Sequence, residues 1–158
     1  WIVGTSAANS LDLNGIQTSG IERIDLGGGN DTLVGSASAD VIVGGTGADV
    51  LSGGAGADQF SYTMLNQSRG ASRDQILDFT TGEDRVDLQA LDADTNLTGD
   101  QAFTLIGNSA FHGVAGELRV FQIGATTCVR GDVNGDAIAD FDIRLAAGLT
   151  LSASDFIL

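Results

Sequence analysis

The chain has no proline, one cysteine and one histidine among its 158 residues. Cys128 has no partner for an internal disulfide, so cross-links contribute nothing to the fold. A lone histidine, His112, excludes the His-Glu-x-x-His helix of a zinc protease. Nor can a Ser/His/Asp triad be argued from one histidine without a nucleophile motif. Basic residues are scarce, seven against 21 acidic ones, giving a formal charge of −14. Such a surface repels nucleic acid phosphates and anionic membranes. No stretch approaches the ~20 apolar residues of a membrane span. An initiating methionine and a signal peptide are also missing, so the chain reads as a piece of a longer protein. A hydrophobic content of 42% excludes a wholly disordered chain.

What the chain does have is glycine and aspartate in strict register. Asp31, Asp40, Asp49 and Asp58 recur within the run GGGNDTLVG SASADVIVG GTGADVLSG GAGADQFSY, one in each unit. A fixed short period means one structural unit stacked on copies of itself. Each unit opens with a turn and closes with a short apolar strand. The glycines, among them Gly27, Gly29, Gly45, Gly47, Gly54 and Gly56, permit turn conformations that aim several carbonyl oxygens at one point. Two residues after each aspartate stands Leu33, Ile42, Leu51 or Phe60, and strand alternation points these inward together. Three residues of strand cannot make a core alone, so the units must stack. A flexible Gly/Asp linker would not hold an apolar residue at a fixed offset from every aspartate.

One carboxylate per unit builds a column of negative charge. Carboxylate plus backbone carbonyl is the ligand set of a hard cation, and Ca2+ accepts six to eight such oxygens in flexible geometry. Mg2+ keeps its waters and fits a carbonyl-lined turn less well. Zinc is disfavoured because the run has no His or Cys. Like charges this close repel, so the stack is expected to fold poorly without its ions.

The run resembles the calcium-binding nonapeptide G-G-x-G-x-D-x-U-x of RTX proteins. That resemblance implies a parallel β-roll in which two units make one coil. It pairs Asp31 with Asp49 on one edge and Asp40 with Asp58 on the other, each pair holding calcium with turn carbonyls. The second unit, Gly35-Ser36-Ala37-Ser38-Ala39-Asp40, lacks the inner glycines, so unequal sites are expected.

Beyond the run, Arg73–Phe79 and Asp84–Leu88 around Thr80-Thr81-Gly82-Glu83 read as a β-hairpin. Their form D-x-I-x-D-F-x-x-G-x-D-x-V-D-L resembles the segment after the roll in serralysin-type secreted metalloproteases. Phe111–Val120 and Gly131–Ile143 resemble later strands of that family. The resemblance implies an all-β chain: a short parallel roll capped by an antiparallel, sandwich-like C-terminal region. The expected divisions are a lead-in at 1–26, the roll at 27–62 and the cap at 63–158. The lead-in strand Ile21–Leu26 is expected to form the first, capping coil. The resemblance also gives Asp74 a terminal calcium, with the family's partner acid replaced near Gln67. Asp132, Asn134, Asp136 and Asp140 have the 1-3-5-9 spacing of a linear calcium loop, but Gly135 comes one residue early and Ile143 holds the twelfth position. An Asx-stabilised turn is the alternative. His112 reads as a turn residue and Cys128 as a small buried side chain.

The end, Asp155-Phe156-Ile157-Leu158, resembles the terminus of type I secretion substrates. The function implied is a non-catalytic, extracellular calcium module of a larger secreted protein. Its expected partners are calcium, the type I machinery and an upstream passenger domain, without nucleic acid or membrane insertion. A terminal adhesin domain or a polysaccharide-binding module is the alternative. A polyanion would need a basic groove, which the composition argues against.

Overall fold

The computed structural model describes residues 1–16 and 22–158. Its strands are β1 (Ile2–Thr5), β2 (Ser10–Asp12), β3 (Glu22–Gly27), β4 (Thr32–Val34), β5 (Asp40–Val43), β6 (Val50–Ser52) and β7 (Gln59–Ser61). They continue as β8 (Gln75–Ile76), β9 (Arg85–Asp87), β10 (Thr104–Leu105), β11 (Glu117–Ile123), β12 (Thr126–Asp132), β13 (Phe141–Ala147) and β14 (Phe156–Ile157). Helix is limited to two single turns, Leu65–Gln67 and Ala153–Asp155. Among the described residues no helix is long and apolar enough to cross a membrane.

Alternate strands fall into two sheets, as a roll of two units per coil requires. Among the described residues, one sheet runs β1-β3-β5-β7-β9-β14, parallel throughout. The other runs β10-β11-β12-β13-β8-β6-β4-β2. Its β2-β4-β6-β8-β13 half is parallel, while β11, β12 and β13 form an antiparallel meander. The roll thus passes into the cap without a break, because β13 pairs directly on β8.

Register explains the core. Ile2, Ile24, Ile42, Phe60, Val86 and Phe156 stand opposite one another across the first sheet. Leu11, Leu33, Leu51, Ile76 and Leu145 do the same in the second. From Ile24 and Leu33 onward these ladder residues are buried. A fully buried side chain of this size contributes ~1.5–3 kcal/mol, so each coil is held mainly by its two rungs. Tyr62 and Phe141 close the core with an edge-to-face contact at 5.1 Å.

One expectation is overturned. Residues 73–79 and 84–88 do not form a hairpin: β8 pairs in parallel with β6, and β9 in parallel with β7. Burial decides this. Ile76 and Val86 each extend an apolar ladder on a different sheet, which mutual pairing would prevent. The expected lead-in strand is found as β3, with two earlier strands coiled before it; its first expected residue, Ile21, lies outside the described residues.

Candidate metal centre

The aspartates line the two edges of the roll, one per coil. On the first edge, Asp31 Oδ1 accepts the Asn9 N–H at 2.6 Å, Asp49 Oδ1 accepts that of Asp31 at 2.8 Å, and Asp74 Oδ1 accepts that of Asp49 at 3.0 Å. On the second, Asp58 Oδ1 accepts the Asp40 N–H and Asp84 Oδ1 that of Asp58, both at 2.9 Å. Each carboxylate therefore clips its own coil to the one before it. Asp31 with Asp49, and Asp40 with Asp58, share an edge at a separation of 18 residues.

The second oxygens are the informative ones. Oδ2 of Asp31, Asp49 and Asp58 is buried and has no hydrogen-bond partner, whereas the buried Asp74 carboxylate faces the Tyr62 hydroxyl. Leaving a buried polar atom unpaired costs ~1–3 kcal/mol, and more for a charged group. Two of these oxygens lie close to glycines at the start of their turns. A Cβ on Gly44 would sit 2.6 Å from Asp49 Oδ2, and one on Gly53 would overlap Asp58 Oδ2. All six glycines singled out in the sequence have positive φ. Gly47 shows the reason most sharply: its φ is +137°, and a side chain there would strike the Gly29 carbonyl of the coil below. The bridge between Gly28 and Thr46 stacks the same two turns.

Burial pushes Asp49 up to about 6, with the Asp31 charge adding to it. Burial likewise raises Asp58 to about 7, aided by the charges of Asp84, Asp40 and Asp78. Asp74 is raised furthest, to about 8, again chiefly by burial and then by Asp49 and Asp31. In each case the backbone N–H bond pulls the other way without prevailing. The wholly buried Tyr62 is pushed well above its ordinary value by burial and by the Asp74 and Asp49 charges. Without a cation, then, Asp74 and in part Asp58 resist ionisation at neutral pH.

Asp40 departs from this pattern. Its Oδ2 accepts the Ser36 N–H at 2.7 Å, and its Oδ1 accepts the Ser36 hydroxyl at 3.2 Å. The serine that replaces a glycine in the second unit thus satisfies the carboxylate internally. Asp78 has a related role, with its two oxygens accepting the N–H groups of Gly53 and Gly54 at 2.9 and 3.0 Å.

The loop from Asp132 to Asp140 turns its oxygens onto itself. Asp132 accepts three N–H groups, from Asn134, Gly135 and Ala137. Asn134 and Asp136 each accept the N–H two residues on, the pattern of Asx turns. Asp140 bonds the Val133 N–H and pairs with Arg69 at 3.0 Å. Gln67 Oε1 accepts the N–H groups of Thr63 and Met64. His112 is exposed and bonds Glu117 at 2.6 Å, and Cys128 is buried in β12.

Among the described residues no three His, Cys, Asp or Glu side chains converge on one point. A cation on an edge would therefore draw most of its oxygens from turn carbonyls, which suits calcium and not zinc. The orphaned Oδ2 atoms and the side-chain-free turns fit that donor set.

Several contributors are not evident in the repeat. Asn9 holds the place of an aspartate in a worn unit, Gly4-Thr5-Ser6-Ala7-Ala8-Asn9-Ser10-Leu11, whose register to the next coil is 22 residues rather than 18. Asp84-Arg85-Val86 repeats the Asp-x-apolar signature at a spacing of 26. Asp78 carries no separate signal, whereas Gly44 and Gly53 hold the first position of the repeat.

The family of Peptidase M10 serralysin C-terminal regions matches residues 6–158. The solution structure of the AlgE6R2 subunit from the Azotobacter vinelandii mannuronan C5-epimerase is 29% identical, with a TM-score of 0.72, covering 99% of this chain and 91% of that one. The AlgE6R3 subunit of the same epimerase is 31% identical, with a TM-score of 0.66, covering 97% and 80%. Among curated protein sequences none matches. The chain belongs to the serralysin C-terminal family and is an RTX-type β-roll.

Proposed function

We propose that this serralysin C-terminal chain is a non-catalytic calcium-binding module of a larger secreted protein, and that it folds when calcium becomes available outside the cell. The observation that carries the reading is the set of three buried, unpartnered Oδ2 atoms on Asp31, Asp49 and Asp58, together with the burial that raises Asp49, Asp58 and Asp74 to about 6, 7 and 8. The residues assigned to calcium are Asp31, Asp49 and Asp74 on one edge and Asp58 on the other, with carbonyls of the turns at 27–30, 45–48 and 53–57. When bound, calcium would supply the positive charge that lets these carboxylates ionise while buried. Asp40 contributes less because Ser36 already occupies it, and the loop from Asp132 to Asp140 is assigned a structural role.

Extracellular calcium modules bind at ~10⁻⁴–10⁻³ M, an affinity that leaves such sites empty in a cytosol and filled outside. A chain that stays unfolded until then suits passage through a narrow secretion channel. The C-terminal residues fit the same reading. Phe156 and Ile157 pair with β9, and Asp155 accepts N–H groups from Ser152 and Gly82, so an export signal here is accessible only before folding.

Terbium, a calcium surrogate, gives a direct test. The chain has one tyrosine, Tyr62, buried against the Asp74 and Asp49 charges. Terbium bound on the first edge should luminesce on tyrosine excitation and be displaced by calcium. Absence of tyrosine-sensitised emission, with calcium leaving the secondary structure unaltered, would refute the reading.

A further inference from the structure

Two of the seven asparagines, Asn14 and Asn134, are followed by glycine. Glycine has no side chain to shield its backbone nitrogen, so that nitrogen can reach the carboxamide carbon of the residue before it. The two sites are alike in sequence and opposite in structure.

Asn134-Gly135 is clasped. The Gly135 N–H is donated to Asp132 Oδ1 at 2.8 Å, and the Asn134 N–H goes to the same oxygen at 3.2 Å. Asn134 Oδ1 accepts the Asp136 N–H at 2.9 Å, which fixes the carboxamide. The Asn134 carbonyl accepts the Asn96 amide at 3.1 Å. Gly135 is also crowded, since a Cβ there would stand 3.1 Å from the Ala115 nitrogen. A carboxylate acceptor makes the Gly135 N–H bond strong, and its charge opposes the loss of the N–H proton that attack requires.

Asn14-Gly15 has none of these restraints. The pair forms the centre of a turn closed by the Ile16 N–H on the Leu13 carbonyl at 2.9 Å, with Gly15 at a φ of +74°. Both residues are exposed, and nothing lies within 4 Å of a Cβ built on Gly15. Asp12 Oδ1 accepts the Asn14 N–H at 2.9 Å. Among the described residues neither the Gly15 N–H nor the Asn14 carboxamide has a hydrogen-bond partner.

We propose that Asn14 is a site of spontaneous modification in the folded protein, converting to aspartate and isoaspartate, while the clasp of Asp132 protects Asn134. The Gly15 nitrogen attacks Asn14 Cγ and a succinimide ring closes. The amide nitrogen departs as ammonia, taking up the proton that Gly15 gives up. Water then opens the ring at either carbonyl. Opening at the main-chain carbonyl leaves isoaspartate, with one extra carbon in the backbone of the turn. The Ile16 carbonyl of that turn accepts the Ala37 N–H at 3.0 Å, so the extension loosens a tie between the first coil and the second unit of the repeat. Either product adds a carboxylate beside Asp12. The reading does not depend on how the metal edges are filled.

The test is peptide mapping by mass spectrometry after incubation of the calcium-loaded chain in warm, mildly alkaline buffer, beside a sample unfolded in guanidinium. In the folded chain Asn14 should convert at least tenfold faster than Asn134, with isoaspartate detected by enzymatic methylation. In guanidinium the two rates should agree within threefold. Asn14→Gln, which would have to close a larger ring, should leave position 14 unmodified with an unchanged circular dichroism spectrum. Equal rates in the folded chain, faster conversion of Asn134, no conversion of Asn14, or the same rate difference in guanidinium would each overturn the proposal.

Discussion

Removing calcium at controlled pH probes the roll most directly. Asp31, Asp49 and Asp74 lie in successive coils on one edge, and Asp40, Asp58 and Asp84 on the other. Adjacent strands are ~4.8 Å apart. At that separation two unit charges repel by about 3 kcal/mol at the effective dielectric of a protein surface. Four neighbouring pairs then oppose folding by roughly 10 kcal/mol or more, against a total domain stability of ~5–15 kcal/mol. Hydrogen bonds to Oδ1 offset part of this, at ~1.5–3 kcal/mol each when the acceptor is charged. The metal-free roll can relieve the rest by protonation, and burial, with the neighbouring charges adding to it, raises three of the carboxylates to about 6, 7 and 8. Because these folded-state values lie above the unfolded value of 3.8, the metal-free folded chain holds more protons than the unfolded one. Stability is therefore greatest below about pH 4 as far as these groups are concerned, and is lost as pH rises through 6 to 8. In chelator, β-structure by circular dichroism should be present at about pH 5 and lost by about pH 8.5, while calcium should restore it at the higher pH. Calcium binding near pH 7 should also release protons, measurable as a buffer-dependent heat. A chelated chain with the same spectrum and melting temperature at both pH values would refute the argument.

Particular contacts set three further outcomes. Asp49→Asn should remove a calcium site and raise the calcium midpoint of folding at least tenfold. Asp40→Asn should shift that midpoint by less than threefold, because Ser36 already occupies both oxygens; equal effects would contradict the assignment. Gly47→Ala should prevent cooperative folding even in excess calcium, since its Cβ collides with the Gly29 backbone, whereas Gly70→Ala, with nothing near its Cβ, should cost only ~1 kcal/mol in a calcium-loaded thermal melt. Cys128 is buried and its thiol is raised by burial, so a thiol reagent should label it slowly in calcium and rapidly in chelator at about pH 8.5; fast labelling in both would show that β12 is not packed as described.

The sequence displayed the roll because its rule is local. Every unit must reach the core with one apolar side chain and turn on glycine, so the period is written into consecutive residues. The segment after the run was harder to read. Gln75-Ile76 and Arg85-Val86 have the alternation of a hairpin and a glycine turn between them, and local signals favour that pairing. The competing demand is non-local: Ile76 and Val86 bury best as the next rungs of two separate ladders. Asn9 escaped notice because its coil is longer by four residues and it carries an amide instead of a carboxylate. Composition also averages charge over the whole chain, whereas Arg73 and Arg130 come together only on the shared Asp142 of β13.

The winding also ties the last strand to the repeats. β14 is the last strand of the first sheet, and its Phe156 stacks on Val86, which stacks on Phe60 of the final repeat. Asp155 helps to hold it by accepting the N–H of Gly82, in the turn between β8 and β9. This strand has only two residues and little surface of its own, so its docking depends on β9, and β9 in turn rests on the coil whose edges carry Asp58 and Asp84. If the roll folds on calcium as proposed, a terminal segment built this way is free before that step and captured after it. Deleting Phe156–Leu158 should then lower the melting temperature of the calcium-loaded chain by several degrees while leaving tyrosine-sensitised terbium emission in place. The edge containing Asp49 and Asp74 packs through β6, β8 and β13, on the opposite sheet. Loss of both signals together would mean that the roll cannot form until its last strand docks.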